Sequence, residues 1–317
     1  MIELLELIKS GYLQRVSDIN EQKKIWIKLS EQFRPDLALY RSGRPSTIIA
    51  RETGDLGLSV LWIVQAALIR PILKDVAMKS AGDKGLSLML AKINHNSLCS
   101  LAHSENPAAP VILSESGKSE FVLNGEKKFL TAGKNADLIF TTCRMAGEEK
   151  ISRMAVIDPA VLPENSLPDL ELRIMKSVSH TKLILDNTKI NHFQATQVPP
   201  SEIRRMIKKW GILERSLILE TFLSFLIYAE KILISTGAKI SEYEEIYPNL
   251  LLQSDSVTKQ IDEAVYNNRI ETENIQLQKI FPIIETFKKA YINSENNLTE
   301  ADRTRLKDLY LFDNLKG

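Results

Sequence analysis

One acidic side chain, Glu214, falls in an apolar stripe of a segment with helical periodicity. The residues at helical spacing from it are almost all apolar: Ile207, Trp210, Gly211, Leu217, Ile218 and Thr221. Burial raises the pKa of a carboxyl group, because the charged form loses its hydration. The pattern therefore predicts a general base or acid that works near neutral pH. The alternative is an exposed Glu214–Arg215 pair, and Glu220 is a weaker candidate because Ser216 and Ser224 lie beside it.

Few other residues have the spacing of a metal site, a nucleotide-binding motif or a catalytic nucleophile. The four histidines lack metal-ligand spacing and have no cysteine partners, so we expect no metal site. Cys99 and Cys143 alone form no disulfide framework, which fits a reducing compartment. Glycine-rich nucleotide-binding motifs and the G-x-S-x-G motif are absent. The basic pairs Arg204-Arg205 and Lys208-Lys209 are interpreted as a solvated helix face, although they could meet a phosphate group of a ligand.

Composition describes a neutral globular protein. The chain has 317 residues, of which 44% are hydrophobic, enough for two or three packed units. The 41 basic and 40 acidic residues nearly cancel, which argues against a nucleic-acid partner. The apolar run from Leu217 to Ile234 is interrupted by Glu220, Glu230 and Lys231, so no membrane span is expected there. We expect a cytoplasmic protein.

The hydrophobic period changes twice along the chain and predicts three domains. Helical spacing dominates residues 1–97, short strands dominate 98–198, and helical spacing returns over 199–317. Asn124-Gly125 lies between two strand-like runs and predicts a hairpin within an antiparallel sheet or small barrel. The last part predicts helices at 202–235, 254–280 and 281–291. The fold class is α+β, with a helical domain on each side of a sheet domain.

The middle segment resembles the acyl-CoA dehydrogenase superfamily. The resemblance rests on Ala102-His-Ser-Glu-Asn-Pro107, on Glu120-Phe-Val-Leu-Asn-Gly-Glu-Lys-Lys-Phe-Leu-Thr-Ala-Gly133, and on Ala136-Asp137. These blocks follow the family's order and spacing, with the second as the strongest. Val178 to Ile190 is similar to the strand that closes the family's middle domain. The match is specific over about residues 102–190.

That resemblance implies a flavoprotein that binds FAD between the sheet domain and the C-terminal helices. It implies oxidation of an acyl-CoA or other acyl-thioester, in which a glutamate removes the α-proton and a hydride goes to FAD. It also implies a role in fatty acid metabolism and an oligomer. Thr131 would approach the reactive edge of the flavin, Phe129 would pack on its ring, and Ser104 would bind its pyrimidine side. Arg215 and Ser179 are assigned to substrate binding.

The segment around Glu214 is similar to the G-L-x-x-E-R-L block of the isovaleryl-CoA dehydrogenase branch. Gly211, Leu213, Glu214 and Arg215 match that block, with the glycine displaced by one position. In that branch the catalytic base lies on this helix. The resemblance therefore implies that Glu214 is the base.

Several family features are missing. The A-G-S-D segment is replaced by Ala108-Ala-Pro-Val111, which removes the glycine and serine that approach the FAD pyrophosphate. A glycine before the last strand is replaced around Met175-Lys176. The R-x-x-F-G motif is replaced by Ile234 to Lys239, and the C-terminal region is shorter by roughly two helices. The alternative hypothesis is therefore a non-catalytic or half-site subunit that assembles with a full-length acyl-CoA dehydrogenase.

The second half of the 202–235 segment is apolar on nearly every side. Its apolar residues are Leu217, Ile218, Leu219, Phe222, Leu223, Phe225, Leu226, Ile227, Ile232, Leu233 and Ile234. A helix of this kind must be covered on every side. The remaining C-terminal helices look too few to cover it, so we expect a second chain to pack against it, in a homo- or hetero-oligomer.

Overall fold

The computed structural model describes residues 1–35, 43–79, 82–238, 240 and 281–313. Helices come first, strands follow and helices return, which confirms the predicted order. The helices before the sheet are α1 (Ile2–Ser10), α2 (Tyr12–Ser17), α3 (Ile19–Phe33), α4 (Gly43–Thr53), α5 (Leu56–Ile63), α6 (Arg70–Lys79) and α7 (Lys84–Leu90). The predicted helix at 254–280 and Lys239 lie outside the described residues.

α5 and α6 form one helix that is interrupted by a π-helical turn, Val64–Ile69. Asp55 caps its start, because the carboxylate accepts a hydrogen bond of 2.9 Å from the Leu58 N–H. The segment Leu56–Lys79 is long and apolar enough to cross a membrane, but 94% of its apolar stretch is buried inside the protein. This is typical of the core helix of a soluble protein. Turns of the π type frequently occur at functional sites.

Six strands form a barrel-like sheet. They are β1 (Cys99–Ala102), β2 (Ile112–Glu115), β3 (Glu120–Thr131), β4 (Leu138–Met145), β5 (Arg153–Ile157) and β6 (His180–Asn191). Their order is β1-β4-β2-β3-β6, with β5 also paired to β4. The predicted antiparallel pairing is found between β2 and β3, β3 and β6, and β4 and β5, but it is wrong for β1 and β2, which run parallel to β4. The chain leaves β2 through antiparallel β3 and returns as β4, which makes β2 and β4 parallel neighbours.

The predicted hairpin at Asn124-Gly125 is also wrong. Both residues lie inside the continuous strand β3, which pairs with β6 along its whole length. Gly125 has φ +127°, and the pairing register shifts there, so the dipeptide marks a bulge instead of a reversal. A β-carbon at Gly125 would lie 2.2 Å from the Pro110 carbonyl oxygen, so the close approach of that loop requires glycine. The actual hairpin joins β2 to β3.

Three helices after the sheet belong to the described part of the chain. They are α8 (Pro200–Ser235), α9 (Phe281–Ser294) and α10 (Glu300–Leu306). The predictions of helices at 202–235 and 281–291 are thus confirmed. α8 is the longest described helix, and it crosses from the sheet to the N-terminal helices.

Contrary to the expectation, α8 does not need a second chain to cover it. Phe222 and Phe225 are fully buried within this chain, and the ring of Phe312 packs edge-on against Phe222 at 4.8 Å. α4 and α5 pack on α8 as well, and Ser46 and Thr221 share a buried hydrogen bond of 2.8 Å. The N-terminal helices therefore supply cover that the expectation, based on the C-terminal helices alone, did not include.

Asp55 is the centre of a buried polar cluster that joins the N-terminal helices to each other and to the loop before β6. Arg15 Nη2 lies 2.7 Å from Asp55 Oδ2, and both side chains are almost completely buried. The other carboxylate oxygen of Asp55 accepts hydrogen bonds from the Leu58 N–H and from the Ser177 hydroxyl. Asp55 therefore joins α2, the start of α5 and residue 177 through one side chain.

Candidate functional site

A cavity of about 540 Å³ lies where the sheet meets α8 and the π-helical turn. The predicted site residues Ser104, Phe129, Thr131, Glu214 and Arg215 all line it. Its apolar wall is formed by Val64, Leu68, Leu101, Ile151 and Ile207. The cavity has the size and mixed lining of a small-molecule or cofactor site.

The sheet side of the cavity presents two hydroxyl groups. Ser104 follows β1, and its carbonyl oxygen accepts a hydrogen bond of 2.8 Å from the Lys128 N–H. Thr131 ends β3, where Ser100 Oγ donates to its carbonyl oxygen at 2.7 Å. Within the described residues neither the Ser104 nor the Thr131 hydroxyl has a hydrogen-bond partner. Both hydroxyls are therefore available to a bound molecule.

Phe129 contributes the aromatic surface of the sheet side. Its ring stacks on that of His180 from β6, with centroids 4.9 Å apart and planes 28° apart. His180 is buried, and this burial lowers its pKa to about 4. His180 is thus a neutral ring at physiological pH, and it fixes the orientation of Phe129 from behind.

Glu214 faces the cavity from α8. Its surroundings are mostly protein atoms, and burial raises its pKa to about 7, against a smaller opposing effect of the Arg215 guanidinium. Part of the side chain stays accessible through the cavity. Glu220, the weaker candidate, is not among the residues that line the cavity. Glu214 is therefore a carboxyl group that changes protonation near neutral pH next to a free binding space.

Basic side chains surround the same opening. Arg204, Lys208 and Arg215 succeed one another along one face of α8 and line the cavity. Arg204 donates to the Ile151 carbonyl oxygen at 3.0 Å. The interpretation of Arg204 and Lys208 as a solvated face is therefore incomplete, since both are exposed yet also border the cavity. Arg204 and Lys208 are four residues apart and therefore lie on the same helix face, which the sequence alone could have indicated.

A polar network lies directly behind the sheet side. Lys127 is fully buried, and its Nζ lies 3.4 Å from Glu105 Oε1 and 3.1 Å from Thr142 Oγ1. Arg144 adds a 2.6 Å ion pair with Glu105. Burial lowers the pKa of Lys127, which Glu105 partly opposes. His103 Nδ1 lies 3.1 Å from Thr142 Oγ1, and His103 also lines the cavity, a role that the sequence analysis missed.

Ser179 is the predicted site residue that the structure does not bring to the cavity. It lines a separate space of about 380 Å³ next to α3. Its N–H donates to Gln22 Oε1 at 2.7 Å, which connects it to the N-terminal helices. Its hydroxyl is buried and has no hydrogen-bond partner in the described part of the chain. Ser179 therefore lies apart from the other five predicted residues.

The ring portion and the phosphate portion of FAD fit this structure differently. The free hydroxyls, the aromatic face of Phe129 and the apolar helix wall suit a flat heteroaromatic ring with polar edges. In the loop expected near the pyrophosphate, however, the Ala108 N–H donates to Asn106 Oδ1 and the Ala109 N–H to the Asn106 carbonyl oxygen. Pro110 has no N–H. These three residues therefore have no main-chain donor left for a phosphate.

Among the described residues no group of three or more His, Cys, Asp or Glu side chains could hold a metal ion. No protein-family model and no curated protein matches the sequence.

Solved structures match the fold over nearly the whole chain. An acyl-CoA dehydrogenase from Geobacillus kaustophilus is 12% identical with a TM-score of 0.66, and the match covers 98% of this chain and 92% of that one. The prolyl acyl carrier protein oxidase AnaB is 16% identical with a TM-score of 0.57, covering 98% and 93%. The FAD complex of PigA is 11% identical with a TM-score of 0.61, covering 98% and 91%. The chain therefore has the acyl-CoA dehydrogenase-like fold.

Proposed function

We propose that this chain is a flavin-dependent acyl-thioester dehydrogenase in which Glu214 is the base. One observation carries the proposal: a carboxyl group with a pKa near 7 faces the same cavity as Phe129 and Thr131. The fold alone does not determine the reaction, because one fold hosts many activities. The acyl group would be attached to CoA or to a carrier protein, since the similar structures include an acyl-CoA dehydrogenase and an acyl carrier protein oxidase.

Residues of this chain would act as base, exclude water and hold the cofactor. The Glu214 carboxylate would take the α-proton of the thioester and hold it on a carboxyl oxygen. The apolar side chains of Val64, Leu68 and Ile207 would exclude water from the reacting carbons. Thr131 and Ser104 would hydrogen-bond the cofactor ring. When bound, FAD would supply the two-electron oxidant that receives the β-hydrogen as the carbon–carbon double bond forms.

Cofactor binding tests this proposal without knowledge of the acyl group. The purified chain, titrated with FAD and separately with riboflavin, should bind both, with absorbance near about 450 nm perturbed on binding. We expect the two affinities to agree within roughly threefold, because the 108–110 loop offers no donor to the phosphates. Phe129→Ala and Thr131→Val should each weaken binding by about tenfold. Thr304→Val on α10, outside the cavity lining, is the control and should leave flavin binding unchanged.

The occupied main-chain donors of the 108–110 loop favour a second candidate function. A subunit that keeps the fold but does not hold FAD alone would assemble with a full-length dehydrogenase. Such a chain would stay colourless in the titration and take up flavin only when co-expressed with its partner. A chain that binds neither flavin alone nor flavin with a partner would contradict both functions.

Assembly, pathway and location stay predictions. A homo- or hetero-oligomer, a role in fatty acid metabolism and a cytoplasmic location all rest on the resemblance and on the composition. The burial of Phe222 and Phe225 within one chain removes the independent argument for an oligomer. Sedimentation of the purified chain measures the oligomeric state directly, because the monomer has a mass of 35.9 kDa.

A further inference from the structure

His103 has one ring nitrogen engaged by the protein and one that is not. Nδ1 lies 3.1 Å from the hydroxyl oxygen of Thr142, a side chain that is fully buried on β4. Within the described residues Nε2 has no hydrogen-bond partner and is not fully buried, and His103 lines the 540 Å³ cavity. One edge of the ring is therefore fixed by the sheet while the other remains available to a bound molecule.

The neighbours of Thr142 determine which nitrogen of His103 carries the proton. Lys127 Nζ lies 3.1 Å from Thr142 Oγ1, and an ammonium group can only donate. The Thr142 oxygen accepts from Lys127, and the hydroxyl is fully buried with no other acceptor among the described residues, so its hydrogen would be unpaired unless it goes to His103 Nδ1. Nδ1 then accepts, and in a neutral ring the remaining proton is on Nε2.

The electrostatic surroundings keep the ring neutral. Burial and the nearby Lys127 ammonium lower the pKa of His103, while Glu105 opposes this with a smaller effect. Arg144 pairs with Glu105 at 2.6 Å and so reduces the attraction that the carboxylate could offer to an imidazolium. At physiological pH His103 is therefore a neutral donor at Nε2.

We propose that His103 is a fixed hydrogen-bond donor of the cavity, whose Nε2–H binds the acceptor edge of the flavin pyrimidine ring. Thr142 and Lys127 are the positioning residues that hold it in that tautomer. The identity of the acceptor rests on the proposed function, because Ser104, the next residue, is assigned to that edge. Negative charge gathers there when the flavin is reduced, and a donor aimed at it favours the reduced form.

The tautomer is tested on the cofactor-free full-length chain. Nitrogen NMR shifts of ¹⁵N-histidine-labelled protein at pH 7, with His103 assigned from a His103→Gln spectrum, should show the Nε2–H form alone. Thr142→Val should give a mixture of tautomers, whereas Thr142→Ser, which keeps the hydroxyl, should restore the single form. An Nδ1–H or a doubly protonated ring in the unmodified chain would overturn the donor assignment.

The acceptor is tested on the flavin-loaded chain. His103→Leu should reduce the preference for reduced over oxidised flavin about tenfold, equal to a reduction potential lower by about 30 mV for a two-electron couple. His103→Gln retains a donor and should recover most of the loss. An unchanged potential in His103→Leu would contradict the acceptor. Failure to bind flavin at all would instead overturn the proposed function, while the NMR result would still decide the tautomer.

Discussion

Glu214→Gln is expected to abolish reduction of the bound flavin by an acyl-thioester while leaving the flavin spectrum unchanged. The amide keeps the size of the side chain but cannot accept the α-proton, and a positioned general base contributes roughly 10²–10⁴-fold to a rate. We therefore expect anaerobic stopped-flow bleaching to slow by at least about 10³-fold. Glu220→Gln, on the same helix but outside the cavity lining, is the matched control and should react at the normal rate. Equal loss in both variants would contradict the role of Glu214.

The raised pKa of Glu214 makes a second readout possible that needs no substrate. Its pKa is about 7 in the folded chain against a usual value of 4.5, so the folded state binds the proton more tightly than the unfolded state. Stability must then fall as pH rises from about 4.5 to about 7 and remain lower above that range. Glu214→Gln removes this cost and should raise the free energy of unfolding by roughly 1–3 kcal/mol at pH 8, with little gain at pH 4.5.

The sign of that difference distinguishes a catalytic carboxylate from a structural one. Residues retained for function are often unfavourable for stability. The proposed reaction requires the unprotonated Glu214 carboxylate. The rate of flavin bleaching should therefore rise with pH to a plateau, with a midpoint near pH 7. A variant that is less stable than the unmodified chain at pH 8 would show that Glu214 is held by favourable contacts instead.

Asp55→Ala is expected to cause the largest loss of stability. It leaves the buried Arg15 guanidinium without its 2.7 Å partner, which typically costs about 3–5 kcal/mol. It also removes the cap of α5 at the Leu58 N–H, which adds about 1 kcal/mol. We expect a loss of roughly 4–6 kcal/mol in urea unfolding, enough to unfold a chain of ordinary stability.

Two further variants make that result specific. Asp83→Ala removes a cap of the same type, the 3.1 Å bond to the Leu86 N–H on α7, but no ion pair, and should cost only about 1 kcal/mol. Asp55→Asn keeps an oxygen acceptor for the cap and should fall between the two. A loss in Asp55→Ala no larger than that in Asp83→Ala would show that the Arg15–Asp55 pair contributes nothing.

Sequence patterns predicted the parts of the site that depend on single elements. Glu214 lies in the apolar stripe of one helix, so the helical period alone indicated it, whereas Phe129 and Thr131 on β3 were assigned by the resemblance. The expectation that these residues share one cavity came from the resemblance. No local sequence pattern specifies the distance between β3 and α8. Glu214 is the case in which helical spacing and chemistry led to the same residue.

The structural predictions were wrong where the conformation of a segment depends on contacts with residues that are distant in the sequence. Asn124-Gly125 has the composition of a hairpin turn, but the pairing of β3 with β6 over its full length converts it to a bulge. The direction of β1 and β2 against β4 has no signature in residue type. The role of His103 was missed because its partners, Thr142 on β4 and Lys127 on β3, are distant in the sequence.

The central claim is that a flavin ring binds between β3 and α8, and a crystal structure of the chain soaked with FAD tests it most directly. The account predicts the ring in the 540 Å³ cavity, with Phe129 and Thr131 on one side and the Glu214 carboxylate on the other. A structure in which FAD binds elsewhere, or binds in the cavity with Glu214 facing away from the ring, would contradict the account.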